Sequence, residues 1–296
     1  MLACMSTDLS VHRARGGGRW YPADGGVLTR MVDDFLERAE NPSLPPGRIL
    51  GAIAPHAGFE YSGRVAGHTY RALRDATRHA KPPETVVVLG FCHRDVFPGI
   101  ALLGGTGVET PIGVAPLDAE ATAWLAASTP VFTRDNAPHA GEHSAENQIP
   151  FLQRALPGVA LVVGLFGEHE DDTVAAAADA LAALARGRRI VVVASTDLLH
   201  DPDYYLVTRT DRETVRDIAA LDAPALAQRW RPEFQVCCGI GPVQTLIRYL
   251  RASGGAPGTV LCACNSGDDH PESRGEWVVG YGAVVFGAKE VENIEH

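Results

Sequence analysis

The sequence predicts an α/β fold, a single domain with a mostly parallel central sheet covered by helices. Three observations carry this expectation. The strand-like runs ILGAIA, TVVVLG and IVVVA are short and apolar throughout rather than at alternate positions, the pattern of strands buried on both faces. Stretches of helical periodicity separate them. No linker, internal repeat or low-complexity tract divides the 296 residues, a length that α/β folds commonly build into one domain.

Residues 1–18 carry scattered charge and end in Gly16-Gly17-Gly18, so a flexible tail is expected there, with the domain over 19–288 and a second tail over 289–296. Order is expected to begin at GRWYPADGG. In the helix that follows, Leu28, Met31, Val32, Phe35 and Leu36 fall at helical spacing. NPSLPPG breaks that helix before a strand over Ile49–Ala54. A second helix is expected from about Gly63 to His79, with Ser62 as N-cap and KPPE as its stop. Thr85–Gly90 is the next strand. GIALLGGTGVETPIGVAPLD, rich in glycine and β formers, reads as a hairpin-like excursion. Asp118 caps a helix to about Ala127, and Ser144 is expected to cap another. GVALVVGLFG is a strand. EDDTVAAAADALAALARG is a helix whose acidic first turn suits its dipole. RRIVVVAS is a strand, residues 208–250 are mostly helical with a break at RPEFQVCCGIGP, and GTVLCACN and EWVVGYGAVVFG close the sheet.

Composition narrows the function classes. A net charge of −10 and a pI of about 5.5 argue against a general nucleic-acid or anionic-membrane binder, because both need a basic face. No uncharged apolar run approaches the ~18 residues of a membrane span, and the N-terminus lacks the apolar core of a signal peptide. The six cysteines, Cys4, Cys92, Cys237, Cys238, Cys262 and Cys264, are too few and too clustered on apolar runs for a disulfide framework. Reduced thiols and a cytoplasmic location are therefore expected. Glycine runs such as GGTGVE lack dinucleotide-binding or Walker spacing, so nothing supports nucleotide binding.

In open α/β sheets, sites lie outside the carboxyl ends of the strands. Three apolar strands deliver a histidine to that edge: His56 in IAPHAG, His93 after VVVLG, and His200 after RRIVVVAS, with Asp197 three residues before it. One such histidine is more often a solvated loop residue or a satisfied hydrogen-bonder. Three at equivalent topological places point to a metal or acid–base site. Cys238 stands before Gly239 at a helix start, where the helix N-terminus favours the thiolate. Thiolates bind iron, copper and zinc well, and the competing reading is that Cys237 or Cys238 simply fills the core. His139 and His143 are spaced i,i+4, but Pro138 and Gly141 make this a loop and not HExxH; His143 is placed near the same rim. His12, His68, His79 and His169 read as ordinary surface positions.

These motifs together resemble the Memo family (mediator of ErbB2-driven cell motility), whose bacterial and archaeal members are called AmmeMemoRadiSam system protein B. The matching stretches are GRWYP, IAPHAGFEYSG, VVVLGFCH, ETPIGVAPLD, GEHSAENQIPFL, VVASTDLLH, CCGIGP and GYGAVVF. The resemblance implies a fold like that of the class III extradiol dioxygenases, which hold ferrous iron with two histidines and a carboxylate. It implies His56 and His93 as metal ligands, Cys238 in place of the carboxylate, and His200 as the acid–base histidine with Asp197 beside it. His143 matches the histidine of the family's EHS motif, as a further catalytic candidate. It also implies a functional link to radical-SAM and AMMECR1-like proteins. Two departures stand out: GFCHRD replaces a GPSHH-like sequence, bringing Cys92 and Arg94, and GIGP after Cys238 lacks the basic residue and histidine of animal members.

Three readings of function follow. A metal-dependent redox or oxygen-handling enzyme with a His56/His93/Cys238 site leads, with iron or copper as cofactor and zinc as the alternative. A non-catalytic peptide- or protein-binding scaffold on a dioxygenase-like fold is second. Metal-free hydrolysis, with Cys238 as nucleophile and His200 or His143 as base, leaves His56 and His93 idle. The small-molecule substrate is not legible.

Overall fold

The computed structural model describes residues 10–41, 44–45 and 47–289. Its centre is four parallel strands in the order β2 (Ile49–Ala54), β9 (Ile190–Ser195), β3 (Thr85–Phe91) and β8 (Ala160–Phe166). Beyond β2 lies β12 (Val278–Gly287), antiparallel to it, which also pairs with β10 (His200–Asp201) and β11 (Thr259–Asn265). Beyond β8 lie β4 (Ile100–Leu102), antiparallel to it, and β7 (Phe132–Arg134). The sheet is thus parallel where the sequence is uniformly apolar and antiparallel towards both edges. One cause is connection length: residues 92–99 between β3 and β4 are too few for a parallel crossover, which needs a dozen or more.

Alternation along the central strands divides the core in two. Val87, Leu89, Val162, Val192 and Ala194 face one side, with α5 (Asp171–Gly187) and α8 (Ile240–Ala252). Val86, Val88, Leu161, Val163 and Val193 face the other, with α1 (Gly25–Arg38), α2 (Phe59–Ala76) and α4 (Ile149–Ala155). Because these strands are covered on both faces, every position reads as apolar.

The hairpin expected after residue 99 is present as β5 (Gly107–Thr110) and β6 (Gly113–Pro116). Asp118 caps its helix as expected, and Asp24 caps α1 in the same way, each accepting from a backbone N–H three residues on. Three expectations need correction. Residues 10–18 are not a flexible tail: β1 (Val11–Arg13) pairs in parallel with β5, and the N–H groups of Arg15 and Gly16 donate to Glu146. Scattered charge and three glycines conceal pairing that is entirely backbone. Residues 1–9 and 290–296 lie outside the described residues. Next, α2 starts at Phe59, not Gly63, with Gly58 as N-cap; the Ser62 hydroxyl donates back to the Ala57 carbonyl from inside the first turn. Lastly, Ser144 caps no helix, because its hydroxyl clamps the Phe91 backbone on both sides, donating to the carbonyl and accepting from the N–H.

Candidate metal centre

The carboxyl ends of β2, β3 and β9 converge on one rim. His56 sits two residues past β2 and is buried; His93 sits two residues past β3 with its side chain about one-third exposed. A third imidazole, His143, joins them, and one ligand nitrogen from each lies within 4.8 Å of the other two. The His93 and His143 rings stack at 5.1 Å between centroids, and each meets the His56 ring nearly edge-on. His143 is also stacked flat on the Trp20 indole, 3.8 Å away with a 7° tilt.

The hydrogen bonds say which nitrogen of each ring the protein holds. His93 Nδ1 and His143 Nδ1 each lie 3.1 Å from the same oxygen, Glu142 Oε1. His56 Nδ1 lies 3.0 Å from Ser195 Oγ. With every Nδ1 engaged, Nε2 is left as the donor nitrogen of all three rings, the arrangement that fixes tautomer and orientation in metal-ligating histidines. Glu142 is buried, and its carboxylate also accepts from the N–H groups of His93, His143 and Ser144. Burial pushes its pKa up, but the bonds from His143 and His93 outweigh that and hold it far below the usual carboxylate range. Burial alone would lower His93, yet Cys238 and Glu142 lift it to about 9. His143 is shifted down, chiefly by burial, and is neutral at pH 7.

Glu142 opens a segment that braces the whole site. After it, Ser144 locks the end of β3, and its carbonyl accepts from Ser195 Oγ at the end of β9. Glu146 binds the Tyr21 hydroxyl and the Arg15 and Gly16 amides. The Asn147 amide donates to the His56 carbonyl, and that of Gln148 donates to the Pro55 carbonyl and Ser195 Oγ. Such close passage requires Gly90 on β3, since a Cβ there would meet Ser144 Oγ at 2.5 Å and the Ala145 nitrogen at 2.8 Å. The sequence reading took this stretch as a helix start and missed Glu142; the available signal was a carboxylate directly before His143.

Cys238 arrives from the other side. Its Sγ lies 3.3 Å from His56 Nε2, and the thiol is near enough to raise the His93 pKa. Thr196 Oγ1 lies 3.7 Å from that sulfur and accepts from the Gly239 N–H, while the Cys238 N–H donates to the Asp197 carbonyl. Among the described residues the structure therefore groups His56, His93 and His143 as the possible metal-holding set, where His56, His93 and Cys238 were expected, and places Cys238 against His56 at the side of that group. Asp197 does not touch His200 through any hydrogen bond seen here. Its Oδ1 accepts from the N–H groups of His56 and Ala57, at 2.7 and 3.2 Å, so it shapes the loop that presents His56.

His200 stands outside the imidazole cluster. With Cys238, Phe234, Trp277, Glu233 and Asp201 it lines a cavity of about 230 Å³ that opens beside the thiol. Its ring reaches solvent, but the surrounding protein lowers its pKa more than the Asp197 charge raises it, leaving it neutral at pH 7. Beneath it, Asp211 is buried, accepts from the Leu199 N–H through Oδ1 and has no partner for Oδ2. Burial raises its pKa to about 8. Unfolding lets this group ionise near pH 4, so wild-type stability falls as pH rises from about 4 to about 8. Asp211→Asn removes that loss. Its advantage in urea unfolding is expected to grow between pH 5 and pH 8, reaching on the order of a few kcal/mol; equal advantage at both pH values would mean Asp211 is ionised in the fold.

Other residues fall outside the centre. Cys237 is fully buried, its thiol pushed up by burial and its carbonyl bonded to Trp230 Nε1, so it belongs to the core. Cys92 is buried and joins no metal-binding group among the described residues. His139, expected in a loop, is buried with Nε2 on the Ala101 carbonyl and its pKa lowered to about 4 by burial. His169 is not an ordinary surface residue: it stacks on Phe91 at 4.2 Å and accepts from the Gly241 N–H at the start of α8.

Comparison with known proteins agrees with this architecture. Residues 12–285 match the family model described as Memo-like protein. The chain is 33% identical to a MEMO1 family protein of Methanopyrus kandleri, covering 91% of this chain and 96% of that one. It is 32% identical to a MEMO1 family protein of Ignicoccus hospitalis over the same shares. Among solved structures it is similar to an uncharacterized protein, JW3007, of Escherichia coli K12. That match has a TM-score of 0.51 at 15% identity, over 81% of this chain and all of the other, a likeness of fold.

Proposed function

The chain belongs to the Memo family, and from that premise we propose that it is a metal-dependent enzyme of redox or oxygen-handling type, with iron or copper held by His56, His93 and Cys238. The observation that carries this is that all three imidazoles of the cluster have Nδ1 engaged, two of them by one buried carboxylate, so that each offers Nε2 as its ligand nitrogen, that of His56 lying 3.3 Å from the Cys238 thiol. Imidazole with thiolate suits iron, copper or zinc and not magnesium or calcium. Bound iron or copper would supply one-electron chemistry, which zinc would not.

The protein's own groups divide the remaining work. Glu142 and Ser195 set the tautomers, and Trp20 holds the His143 plane, so that His143 stands ready as a fourth donor. Burial of His56 and Cys238 keeps bulk water off that side. The cavity beside Cys238 admits a small molecule, and His200 on its wall takes or gives a proton. Free cysteines among the described residues support a reducing compartment such as the cytoplasm, and no described helix is long and apolar enough to cross a membrane. The family resemblance supports a link to radical-SAM and AMMECR1-like proteins, to be checked by co-purification.

The test is elemental analysis of protein purified without chelator or added metal. Iron or copper is expected near one ion per chain, and Cys238→Ser, nearly equal in volume but without the soft thiolate, is expected to lose most of it while keeping its melting temperature. A Cys238→Ser protein that holds iron or copper as tightly as wild type removes the thiolate from the ligand set.

A further inference from the structure

Away from the metal centre, β11 carries the sequence Cys262-Ala263-Cys264. Among the described residues it pairs only with β12, at an edge of the sheet. Alternate residues of a strand share a face, and both thiols are half-buried, unlike the buried Cys92, Cys237 and Cys238. The two thiols are close enough that each shifts the proton affinity of the other. Arg64 on α2 places Nη2 3.4 Å from Cys264 Sγ and is itself held by Asp269 at 2.9 Å. A register shift falls just before the pair, between Val260 and Cys262, and Cys262 to Cys264 then pair in step with Ala283 to Tyr281.

We propose that Cys262 and Cys264 form a peroxide-responsive thiol pair, in which a hydroperoxide oxidises Cys262 to a sulfenic acid and Cys264 resolves it to a Cys262–Cys264 disulfide. Two requirements are met. Partial exposure and a neighbouring guanidinium are the surroundings of reactive thiols, and a second cysteine within reach is the mark of a reversible sensor. The neighbouring Cys264 thiol, together with Arg64 and against burial, lowers the Cys262 pKa, so the pair holds a thiolate more readily than a free cysteine does. Alternate Cα atoms of a strand are about 6.6 Å apart, near the upper limit a disulfide spans; the bond is reachable but strained, hence readily reduced again.

The steps balance. The Cys262 thiolate attacks one peroxide oxygen, the O–O bond breaks, and the other oxygen leaves as hydroxide or alkoxide. Cys264 sulfur then displaces the sulfenic oxygen as water, giving up its proton. Two electrons pass from the sulfurs to the peroxide, and a cellular thiol returns them by exchange.

The experiment treats the full chain with hydrogen peroxide, quenches with acid and maps cysteines by mass spectrometry. Wild type is expected to lose two hydrogens, located in a peptide with Cys262 joined to Cys264. Cys264→Ser should accumulate a dimedone adduct at Cys262, and Cys262→Ser should give none at Cys264. Arg64→Ala should slow alkylation of Cys262 by iodoacetamide at pH 7 by about tenfold, as its pKa returns towards ~8.5. Disulfide formation should persist in Cys238→Ser, which separates the pair from the metal centre. Peroxide that leaves both thiols reduced, or carries Cys262 to sulfinic acid with Cys264 free, overturns the proposal.

Discussion

Glu142→Gln is expected to weaken metal binding by 10–100-fold, the usual consequence of losing the group that orients a ligating histidine. Glutamine keeps the size of the side chain but brings an amide that donates. Oε1 of the native carboxylate faces His93 Nδ1, His143 Nδ1 and two backbone N–H groups, and Oε2 faces the His93 N–H. Either placement of the amide nitrogen sets donor against donor, and the lost charge removes part of what raises His93. Two rings come loose through one atom. Competition against a chelator of known affinity reads the effect, with thermal unfolding as the check on the fold. Unchanged affinity in a folded Glu142→Gln protein would mean that His93 and His143 are oriented by packing, through Trp20 and Phe91, and not by the carboxylate.

His200→Ala is expected to keep its metal and lose 10²–10⁴-fold in turnover, the ordinary contribution of a positioned acid–base group. His200 lies outside the imidazole cluster yet shares a cavity with Cys238, which is where a proton donor or acceptor for a bound molecule belongs. Oxygen uptake with ascorbate as reductant, measured beside metal content, separates the outcomes. Full activity would take His200 out of the mechanism, and loss of metal together with activity would make it a ligand. Asp197→Asn should act differently: its carboxylate serves the His56 and Ala57 amides, so metal content is expected to fall along with activity.

Much of this arrangement is legible in the sequence because burial on both faces leaves uniform apolar runs. Those runs locate β2, β3, β8 and β9, and the rule that sites gather at their carboxyl ends brings His56 and His93 together. Cys238 is marked locally by its place before Gly239 at a helix start, and the family resemblance is what sets it apart from the core residue Cys237. His200 stands outside the imidazole cluster because it lies five residues past β9, where β10 pairs it with β12. Glu142 was overlooked because its function depends on a loop folding back over two strand ends, and loops carry no periodicity. His139 and His169 show the same gap, their burial being imposed by elements distant in sequence.

The bracing of the site by contacts remote along the chain also fixes when it can exist. Asp197 meets His56 across 141 residues, and Cys238 meets it across 182. Contacts of such sequence separation form late, after the entropy of closing long loops has been overcome. During synthesis the first two histidines emerge long before the strand that must lie between β2 and β3, so a nascent chain holds imidazoles without the sulfur and without the order that aims them. The metal centre is therefore a product of completed folding and not a nucleus for it. Added iron or copper should leave the refolding rate unchanged and slow only unfolding, and a chain cut before residue 238 should be unable to select its metal however much of it has been made.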